Sequence, residues 1–535
     1  MVVSMAAAGD TPSRGNKGAL QIVWYKRDLR GVDHAPLVNA ASHGPVLPLY
    51  VVEPDYWRQQ DVSLRHWYFL RQSLMDLSAA LSQLGCPLFV ASGCVTEVLN
   101  NINQRVAIGT IWSHEETGNL WTFNRDKRVG VWCASHHVAW TELPQHGVVR
   151  CLADRSGWSQ RWDKLMRSAV YDTPGQVQPA AGAISITTDI PALPYQGFDA
   201  ECTTTTASQR GGRTEALKLL RSFLNKRGER YQKEMSSPVT AEHSCSRLSA
   251  HLALGCVSMR EVFQAVENRQ KAVRASAGGK GSLWGRSLNS YAGRLHWHCH
   301  FIQKLEDQPM HELHNVHRAF DGLRESQFDN EKFSAWCAGK TGFPFVDACM
   351  RYLNATGWIN FRMRAMLMSF AAYQLWLHWR EPGLYLARAF TDYEPGIHWN
   401  QVQMQSGTTG INTVRIYNPV KQSHDQDPDG RFIRQWVPEL QSVTDNFVHE
   451  PWAMDRSTQR ESDCVIGDDY PVPVVDHMAA ARYAREHIYA VRRGDGFREA
   501  AEQIQQKHGS RKSGVPRSDR PTTARKSTHQ VTLDL

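Results

Sequence analysis

The chain has 535 residues, which exceeds the size of one ordinary domain and predicts two domains with a less structured remainder. Its formal net charge of +8 at pH 7 suits a polyanionic partner, because phosphate contacts supply most non-specific nucleic-acid affinity. The eleven cysteines include no Cys-x-x-Cys pair, which disfavours a disulfide framework and indicates a reduced, cytoplasmic protein. No apolar stretch is long enough to span a membrane, so no membrane partner is expected.

The first part of the chain alternates short apolar runs with helical patterns. This alternation predicts a parallel α/β sheet of the Rossmann-like type over residues 19–150, with ligands expected beyond the carboxyl ends of the strands. Lys26, Arg27 and Arg30 follow the first strand, so they are either structural charges at that rim or ligand contacts. Strands are predicted at residues 20–25, 46–52, 87–91 and 110–113, and a helix at residues 64–84.

Composition divides the rest of the chain. Residues 1–18 are small and polar and are predicted to form a disordered leader, whereas residues 151–212 are interpreted as an interdomain linker because much of the stretch is rich in Pro, Gly, Thr and Ala. Residues 213–508 are predicted to form an all-α domain, followed by a basic, disordered tail at 509–535. The helical patterns cover residues 215–231, 259–274, 290–305, 345–356 and 361–377.

A group of hydroxyls with one arginine lies at residues 244–249, which read Ser-Cys-Ser-Arg-Leu-Ser, just before a helical pattern near Leu252. Hydroxyls and free N–H groups at a helix N-terminus bind phosphate, and an arginine adds charge. A serine such as Ser246 or Ser249 taken alone is more simply a helix cap. The segment therefore predicts either a phosphate cradle or an ordinary capping motif.

Two apparent motifs in the helical domain do not support the chemistry they first suggest. His296, His298 and His300 alternate along a predicted helix and point in different directions, so a shared metal is not expected. Residues 339–342, Gly-Lys-Thr-Gly, lack the spacing of a phosphate-binding loop, so ATP is not expected.

A third group of residues indicates one extended, redox-active ligand. Residues 357–364 (Gly-Trp-Ile-Asn-Phe-Arg-Met-Arg) place Arg364 on a Trp-rich helix, and Asp392-Tyr393-Glu394 and the run 415–419 (Arg-Ile-Tyr-Asn-Pro) follow downstream. An arginine on such a helix and an aspartate further along the chain can together hold one extended polar ligand.

These motifs, in this order and at this spacing, resemble the DNA photolyase and cryptochrome family, and the resemblance covers roughly residues 20–508. It implies an α/β antenna domain followed by a helical domain that binds FAD, with Arg364 paired to Asp392 beside the flavin. His398 is either the group that faces the flavin nitrogen or a solvated loop residue. The cofactor-binding residues implied by the resemblance are Tyr231, Cys245, Ser246, Arg247, Leu248, Ser249, Tyr291, Arg364, Asp392, Glu394 and His398.

The resemblance also implies a pocket for damaged DNA, formed by Arg294, Trp297, Phe361 and Arg362. Family members usually carry Glu where Arg294 stands, and that replacement reverses charge and removes every acceptor. Phe361 matches neither the Asn of enzymes that repair cyclobutane dimers nor the His of those that repair (6-4) photoproducts. The chain therefore departs from the family at the positions that recognise the lesion.

Electron transfer to the flavin runs along three tryptophans in this family, and the resemblance places Trp379 at the middle position. Candidates for the remaining steps are Trp399, Trp376, Trp358 and Trp336. The Asn-Glu pair typical of folate-binding members is absent near Gly118, so a second antenna chromophore is left open. After Cys349 only Cys464 remains, which disfavours the iron–sulfur site of one bacterial branch.

The resemblance implies a light-dependent enzyme that splits pyrimidine dimers in UV-damaged DNA, with the cyclobutane dimer favoured over the (6-4) photoproduct. The alternative is a cryptochrome-like blue-light photoreceptor without repair activity. We expect a monomer in either case.

Overall fold

Five parallel strands form the sheet of the first domain, in the order β3-β2-β1-β4-β5. The computed structural model describes residues 19–180, 187–197, 208–275 and 281–509. The central strand is apolar on both faces, since Ile22 and Trp24 pack in one hydrophobic cluster and Val23 and Tyr25 in another. The strands are β1 (Leu20–Tyr25), β2 (Val46–Val52), β3 (Phe89–Ser92), β4 (Ile108–His114) and β5 (Ala139–Leu143).

Helices cover both faces of this sheet, which confirms the predicted α/β class. Strand β5 was not predicted, because its residues are half-buried at the sheet edge and lack a continuous apolar run. The helices of this domain are α1 (Ala35–His43), α2 (Pro54–Trp57), α3 (Leu64–Gln83), α4 (Val95–Arg105) and α5 (Leu120–Ser135).

The second domain is helical, as predicted, and its largest hydrophobic cluster includes the fully buried rings of Trp336, Trp379 and Trp399. Its helices are α7 (Arg213–Asn225), α8 (Tyr231–Glu234), α9 (Pro238–Ser244), α10 (Ser249–Ala253), α11 (Met259–Ala275), α12 (Leu283–Asp307), α13 (Asn330–Ala338), α14 (Pro344–Thr356), α15 (Phe361–Ser369), α16 (Arg380–Ala389), α17 (Pro395–Ser406), α18 (Pro419–Gln426), α19 (Arg431–Trp436), α20 (Arg456–Glu461), α21 (His477–Arg492) and α22 (Phe497–His508).

The helix predicted over residues 361–377 is shorter in the structure. Helix α15 ends at Ser369 and continues as one π-helical segment, Phe370–Gln374. Trp376 then adopts a left-handed backbone with φ of 56°, a conformation that an α-helix cannot contain.

The interpretation of residues 151–212 as a linker needs correction over the helix α6 (Trp158–Arg167). Trp158, Trp162 and Met166 on this helix are buried in a cluster of the helical domain, and the Trp162 ring lies 5.2 Å from that of Phe263. The one-turn spacing of these residues is the sequence signal that the Pro-rich and Gly-rich surroundings obscured. Residues 181–186 and 198–207 of the segment, the leader 1–18 and the tail beyond 509 lie outside the described residues.

Two of the three charges after β1 contact the second domain, whereas Lys26 pairs with Asp126 and Glu142 within the first. Arg27 donates to the backbone carbonyl of Ala253 at 2.9 Å and forms an ion pair with Glu394 at 2.8 Å. Arg30 donates to the carbonyl of Gly255 at 3.0 Å. These observations favour the interpretation of the charges that follow β1 as structural charges, not ligand contacts. In the part of the chain that the structure describes, no helix combines the length and apolarity needed to cross a bilayer.

Replacing Trp162 with Ala tests whether α6 belongs to the folded core. We expect Trp162→Ala to lower the free energy of unfolding by about 3–5 kcal/mol, because a buried indole is removed and a cavity remains. The measurement is denaturant unfolding followed by circular dichroism. Arg161→Ala, an exposed position on the same helix, serves as control. Equal stabilities of the two variants would contradict the packing role of α6.

Candidate functional site

A cavity of about 1210 Å³ opens in the helical domain between α12, α15 and α17. Its size exceeds the usual range for small-ligand pockets, so it can accommodate a long ligand. The lining includes every residue that the sequence implicated in cofactor binding, except Leu248. Leu248 is fully buried in the hydrophobic cluster that also contains Tyr231 and Tyr291, so its side chain belongs to the core.

Arg364 and Asp392 form a two-pronged ion pair at the cavity wall. The guanidinium Nη1 and Nη2 atoms each donate to one carboxylate oxygen at 2.9 Å, and Nε donates to the carbonyl of Ile359 at 2.7 Å. Burial alone would raise the pKa of Asp392, but the charge and hydrogen bonds of Arg364 hold it below its ordinary value. Asp392 is therefore a fixed negative charge within the wall.

The segment 244–249, predicted as either a phosphate cradle or a capping motif, is held by contacts to its backbone carbonyls. Arg227 donates to the carbonyls of Cys245 at 2.5 Å and Ser246 at 3.3 Å. Arg247 has a left-handed backbone with φ of 61°, and its guanidinium lies 4.0 Å from the ring centre of Trp358. The following helix α10 has only five residues, so its dipole contributes little, and phosphate binding here would depend on the side chains of the segment.

Several polar side chains of the lining have buried atoms without a hydrogen-bond partner among the described residues. A buried polar atom is normally paired in a native protein, so unpaired atoms around one cavity point to a bound ligand. The side-chain amide of Gln401 has neither its nitrogen nor its oxygen paired. The other unpaired atoms in the lining are Arg247 Nε, Asn360 Oδ1, Arg362 Nε and Gln422 Oε1.

His398 lies on α17 and is 7% exposed, so it is not a solvated loop residue. Its Nε2 atom donates to the carbonyl of Gly383 at 2.8 Å, which leaves Nδ1 as an acceptor. Burial lowers the pKa of His398 to about 4, so the ring is neutral near pH 7.

Glu394 lines the cavity but forms its ion pair with Arg27 of the first domain. A cation so close would normally lower the pKa of a carboxyl group. Burial outweighs that effect and raises the pKa of Glu394 to about 7. The structure therefore gives Glu394 a role between the domains, in addition to its place in the wall.

The four residues predicted to contact damaged DNA all line the cavity. Trp297 stacks on Phe301 with ring centres 5.6 Å apart, and the Arg294 guanidinium lies 5.8 Å from the ring centre of Phe361. Phe361 is 38% exposed, a high value for an aromatic ring in a cavity. Arg362 completes the set with a buried, unpaired Nε atom.

The five candidate tryptophans occupy different places. Trp399 and Trp379 are neighbours, with ring centres 5.9 Å apart, and Trp399 lies 4.9 Å from the ring of His398. Trp358 lines the cavity directly. Trp336 instead packs against Tyr385, and Trp376 belongs to a separate cluster with Tyr373. The structure thus brings two of the five together behind the cavity wall.

Sequence reasoning missed several polar residues of the lining. Gln401 on α17, and Gln422 and Asp425 on α18, belong to no motif that the sequence analysis identified. Arg485 comes from α21, far along the chain, and no local pattern connects it with the site. The lining contains more basic than acidic side chains; the basic ones are Arg247, Arg294, Arg362, Arg364, Arg415, Lys421 and Arg485, and the acidic ones are Asp392, Glu394 and Asp425.

A buried triad of Asp28, His34 and His114 lies at the carboxyl end of the sheet, and its residue types are those found in metal sites. One oxygen of Asp28 accepts from His34 Nε2 at 2.9 Å and from His114 Nδ1 at 2.8 Å. The backbone N–H of Leu37 donates to His34 Nδ1, so the proton of His34 lies on the nitrogen that faces Asp28. The geometry is that of a hydrogen-bonded triad.

The comparisons with known proteins agree with this architecture. Residues 21–156 match the family model described as DNA photolyase, and residues 291–490 match the one described as FAD binding domain of DNA photolyase. The chain belongs to the DNA photolyase and cryptochrome family. Both domains are covered, in the order found in the structure.

Curated relatives in this photolyase and cryptochrome family carry two kinds of name. A deoxyribodipyrimidine photo-lyase of Vibrio cholerae is 28% identical over 86% of this chain and 97% of its own length. A cryptochrome DASH of Gloeobacter violaceus is also 28% identical, over 88% of this chain and 95% of its own. These matches show the family and leave the individual activity open.

Solved structures in the family share the fold. A bacterial class III photolyase from Agrobacterium tumefaciens has a TM-score of 0.77 and 24% identity, and covers 91% of this chain and 100% of its own. A Synechocystis cryptochrome has a TM-score of 0.76 and 24% identity, and covers 88% of this chain and 99% of its own.

Breaking the ion pair at the cavity wall should destabilise the protein. Arg364→Met leaves Asp392 buried without its cation, and removal of one partner of such a pair typically costs about 3–5 kcal/mol. We expect a lower free energy of unfolding in denaturant titrations, partly restored in the double variant Arg364→Met with Asp392→Asn. Arg318→Met, which breaks an exposed pair with Asp321, is the control. Equal losses in both single variants would refute the importance of the pair.

His398 should contribute to acid sensitivity. Its pKa is about 4 in the folded protein, whereas an imidazole in an unfolded chain titrates at about 6.5. Between these two values the unfolded state binds more protons, so stability falls as the pH is lowered. The fall in Tm on acidification from about pH 7 to about pH 5 should therefore be smaller in His398→Asn than in the unmodified protein. The exposed control His243→Asn should keep the original dependence. Identical profiles for all three proteins would contradict this contribution.

Proposed function

We propose that the chain binds FAD in the cavity and uses light to repair pyrimidine dimers in DNA. The observation that carries this proposal is the coincidence, in one cavity, of the Arg364–Asp392 ion pair with buried polar atoms that lack partners. The matched FAD-binding family model covers most of the lining from α12 onward. The cyclobutane dimer is favoured over the (6-4) photoproduct.

The lining suits the two chemical halves of FAD. Ser246, Arg247 and Ser249 offer hydroxyls and a cation to a diphosphate, and the buried Arg247 Nε atom still requires an acceptor. Gln401 and His398 offer donor and acceptor atoms to a polar ring edge. When bound, FAD supplies absorption of blue light and one-electron chemistry.

The protein's own contribution is to position, to exclude water and to fix charge. Asp392 stays ionised against Arg364, so the wall holds a defined negative charge with its cation beside it. Leu295 and Met368 contribute apolar surface to the same cavity, which limits the access of water. Such a fixed electrostatic environment costs no reorganisation when charge moves in the ligand.

The open side of the cavity suits a base removed from a nucleic-acid stack. Enzymes that act on a base in duplex DNA extrude it and hold it against aromatic side chains. Trp297 and the exposed ring of Phe361 provide such surfaces, while Arg294 and Arg362 provide donors for carbonyl oxygens or phosphate. The excess of basic side chains in the lining favours a polyanion.

A second candidate function is blue-light signalling without repair. The observation that favours it is Arg294, which offers only donors where the family resemblance expects a carboxylate acceptor. A dimer that must donate its own N–H groups finds no partner at this position. A receptor that uses FAD only for light-driven electron transfer would not require one.

Light-dependent repair by the purified, FAD-loaded, reduced protein decides between these functions. Separate oligonucleotides carry one cyclobutane dimer or one (6-4) photoproduct, each with a dark control. We expect restoration of the cyclobutane dimer under blue light. Failure on both lesions with FAD bound and photoreducible would remove the repair proposal and favour signalling.

Trp297→Ala separates lesion recognition from flavin chemistry. We expect this variant to lose its preference for damaged over intact DNA, because a base–aromatic stack contributes about 1–3 kcal/mol. Photoreduction should remain largely intact. Trp284→Ala, on the same helix but outside the cavity lining, is the control. A preference for damaged DNA that survives Trp297→Ala would contradict the proposed pocket.

A further inference from the structure

Tyr393 is a buried residue with a hydrogen-bonding arrangement that the proposed function does not explain. It is 8% exposed and lines the cavity. Its hydroxyl donates to Oδ2 of Asp61 in the first domain at 2.6 Å, and the same hydroxyl oxygen accepts from Nε1 of Trp399 at 3.1 Å. Three redox-active or titratable groups therefore form one continuous hydrogen-bonded series.

Asp61 is placed to take a proton. It is 4% exposed, and its Oδ2 atom also accepts from the side-chain amide of Asn119 at 3.0 Å. Two neutral groups, the Asn119 amide and the Tyr393 phenol, therefore donate to the same oxygen of Asp61 and hold the carboxylate in position. Burial, together with the nearby charge of Asp61, raises the pKa of Tyr393 well above its ordinary value, so the phenol keeps its proton in the resting protein.

Trp399 connects this series to the cavity. Its ring is 1% exposed and lies 4.9 Å from His398 of the cavity wall, and Tyr393 lies 5.2 Å from the same imidazole. Trp379 follows at 5.9 Å from Trp399, without a hydrogen bond to the phenol. The phenol is therefore in direct contact with Trp399, which packs against the cavity wall at His398.

Charges above the rings distinguish Trp399 from two other candidates. The Arg247 guanidinium lies 4.0 Å from the ring centre of Trp358, and that of Arg324 lies 4.5 Å from the ring centre of Trp376. A cation over an aromatic ring opposes the removal of an electron from it. Among the described residues, no lysine or arginine lies over the ring of Trp399 in this way.

We propose that Tyr393 and Asp61 form a proton-coupled redox pair that supplies an electron to Trp399. This inference rests on the proposed function, because the oxidant is a light-excited flavin in the cavity. Trp399 loses one electron to that flavin. Tyr393 then returns one electron to Trp399 while its phenolic proton moves to Asp61, leaving a neutral tyrosyl radical, a neutral carboxylic acid and a restored tryptophan.

The proton transfer would slow the return of the electron from the flavin. An oxidised tryptophan beside the flavin can recover its electron quickly, which wastes the absorbed light. Once the phenolic proton lies on Asp61, the return of the electron requires the proton to return as well. Charge separation should therefore persist longer than it would on Trp399 alone.

The test is electron paramagnetic resonance and transient absorption after a light flash on the FAD-loaded protein, with the flavin oxidised at the start. We expect a tyrosyl signal that is lost in Tyr393→Phe and replaced by a shorter-lived tryptophan signal. Asp61→Asn, which keeps a hydrogen-bond acceptor but takes up no proton, should suppress the tyrosyl signal while FAD content is retained. Formation of the signal should slow when D₂O replaces H₂O.

Tyr373→Phe is the matched control, because Tyr373 is also buried in the helical domain and its hydroxyl makes no hydrogen bond with the described residues. A tyrosyl signal that survives Tyr393→Phe, or that Asp61→Asn leaves unchanged, would overturn the redox pair while the flavin proposal stands. A protein that binds no FAD would overturn both proposals, whereas a protein that binds FAD but shows no radical of any kind after the flash would overturn the redox pair alone. Melting temperatures of the variants establish that each is folded.

Discussion

Asp392, Tyr393 and Glu394 are consecutive, yet each is held by a different part of the protein. Asp392 pairs with Arg364 in the helical domain, while Tyr393 and Glu394 bind Asp61 and Arg27 of the first domain. One short segment at the start of α17 therefore fixes the cavity wall and joins it to the sheet. A change in the angle between the domains would strain these contacts at the cavity wall.

The strands of the first domain could be predicted closely from the sequence where burial on both faces produces a nearly continuous apolar run, interrupted in β1 only by Gln21. Strands β1 and β2 begin and end at the predicted residues. Strand β5 lies at the sheet edge with half-buried residues, so its sequence carries no such run. Helix α6 has the apolar spacing of a packed helix, with three buried side chains. It was not predicted, because the Pro-rich and Gly-rich composition of the surrounding residues favoured a linker.

The site was predictable to the extent that its residues lie in local motifs. The partners that give those residues their roles could not be predicted, because the contacts connect distant parts of the chain. Tyr393 and Asp61 are 332 positions apart, and Arg27 and Glu394 are 367 apart. Gln401 could not be predicted from a sequence pattern either. It stands out only because its buried amide makes no hydrogen bond with the described residues.

The unpaired polar atoms of the cavity have a consequence for the life of the protein in a cell. Each buried donor or acceptor without a partner costs about 1–3 kcal/mol, and several surround this one space. A ligand that satisfies them acts as a folding partner, because binding to the native state alone adds to its stability. The amount of folded protein would then depend on the supply of that ligand. When the ligand is scarce, the ligand-free chain would be degraded and would not accumulate as an inactive form.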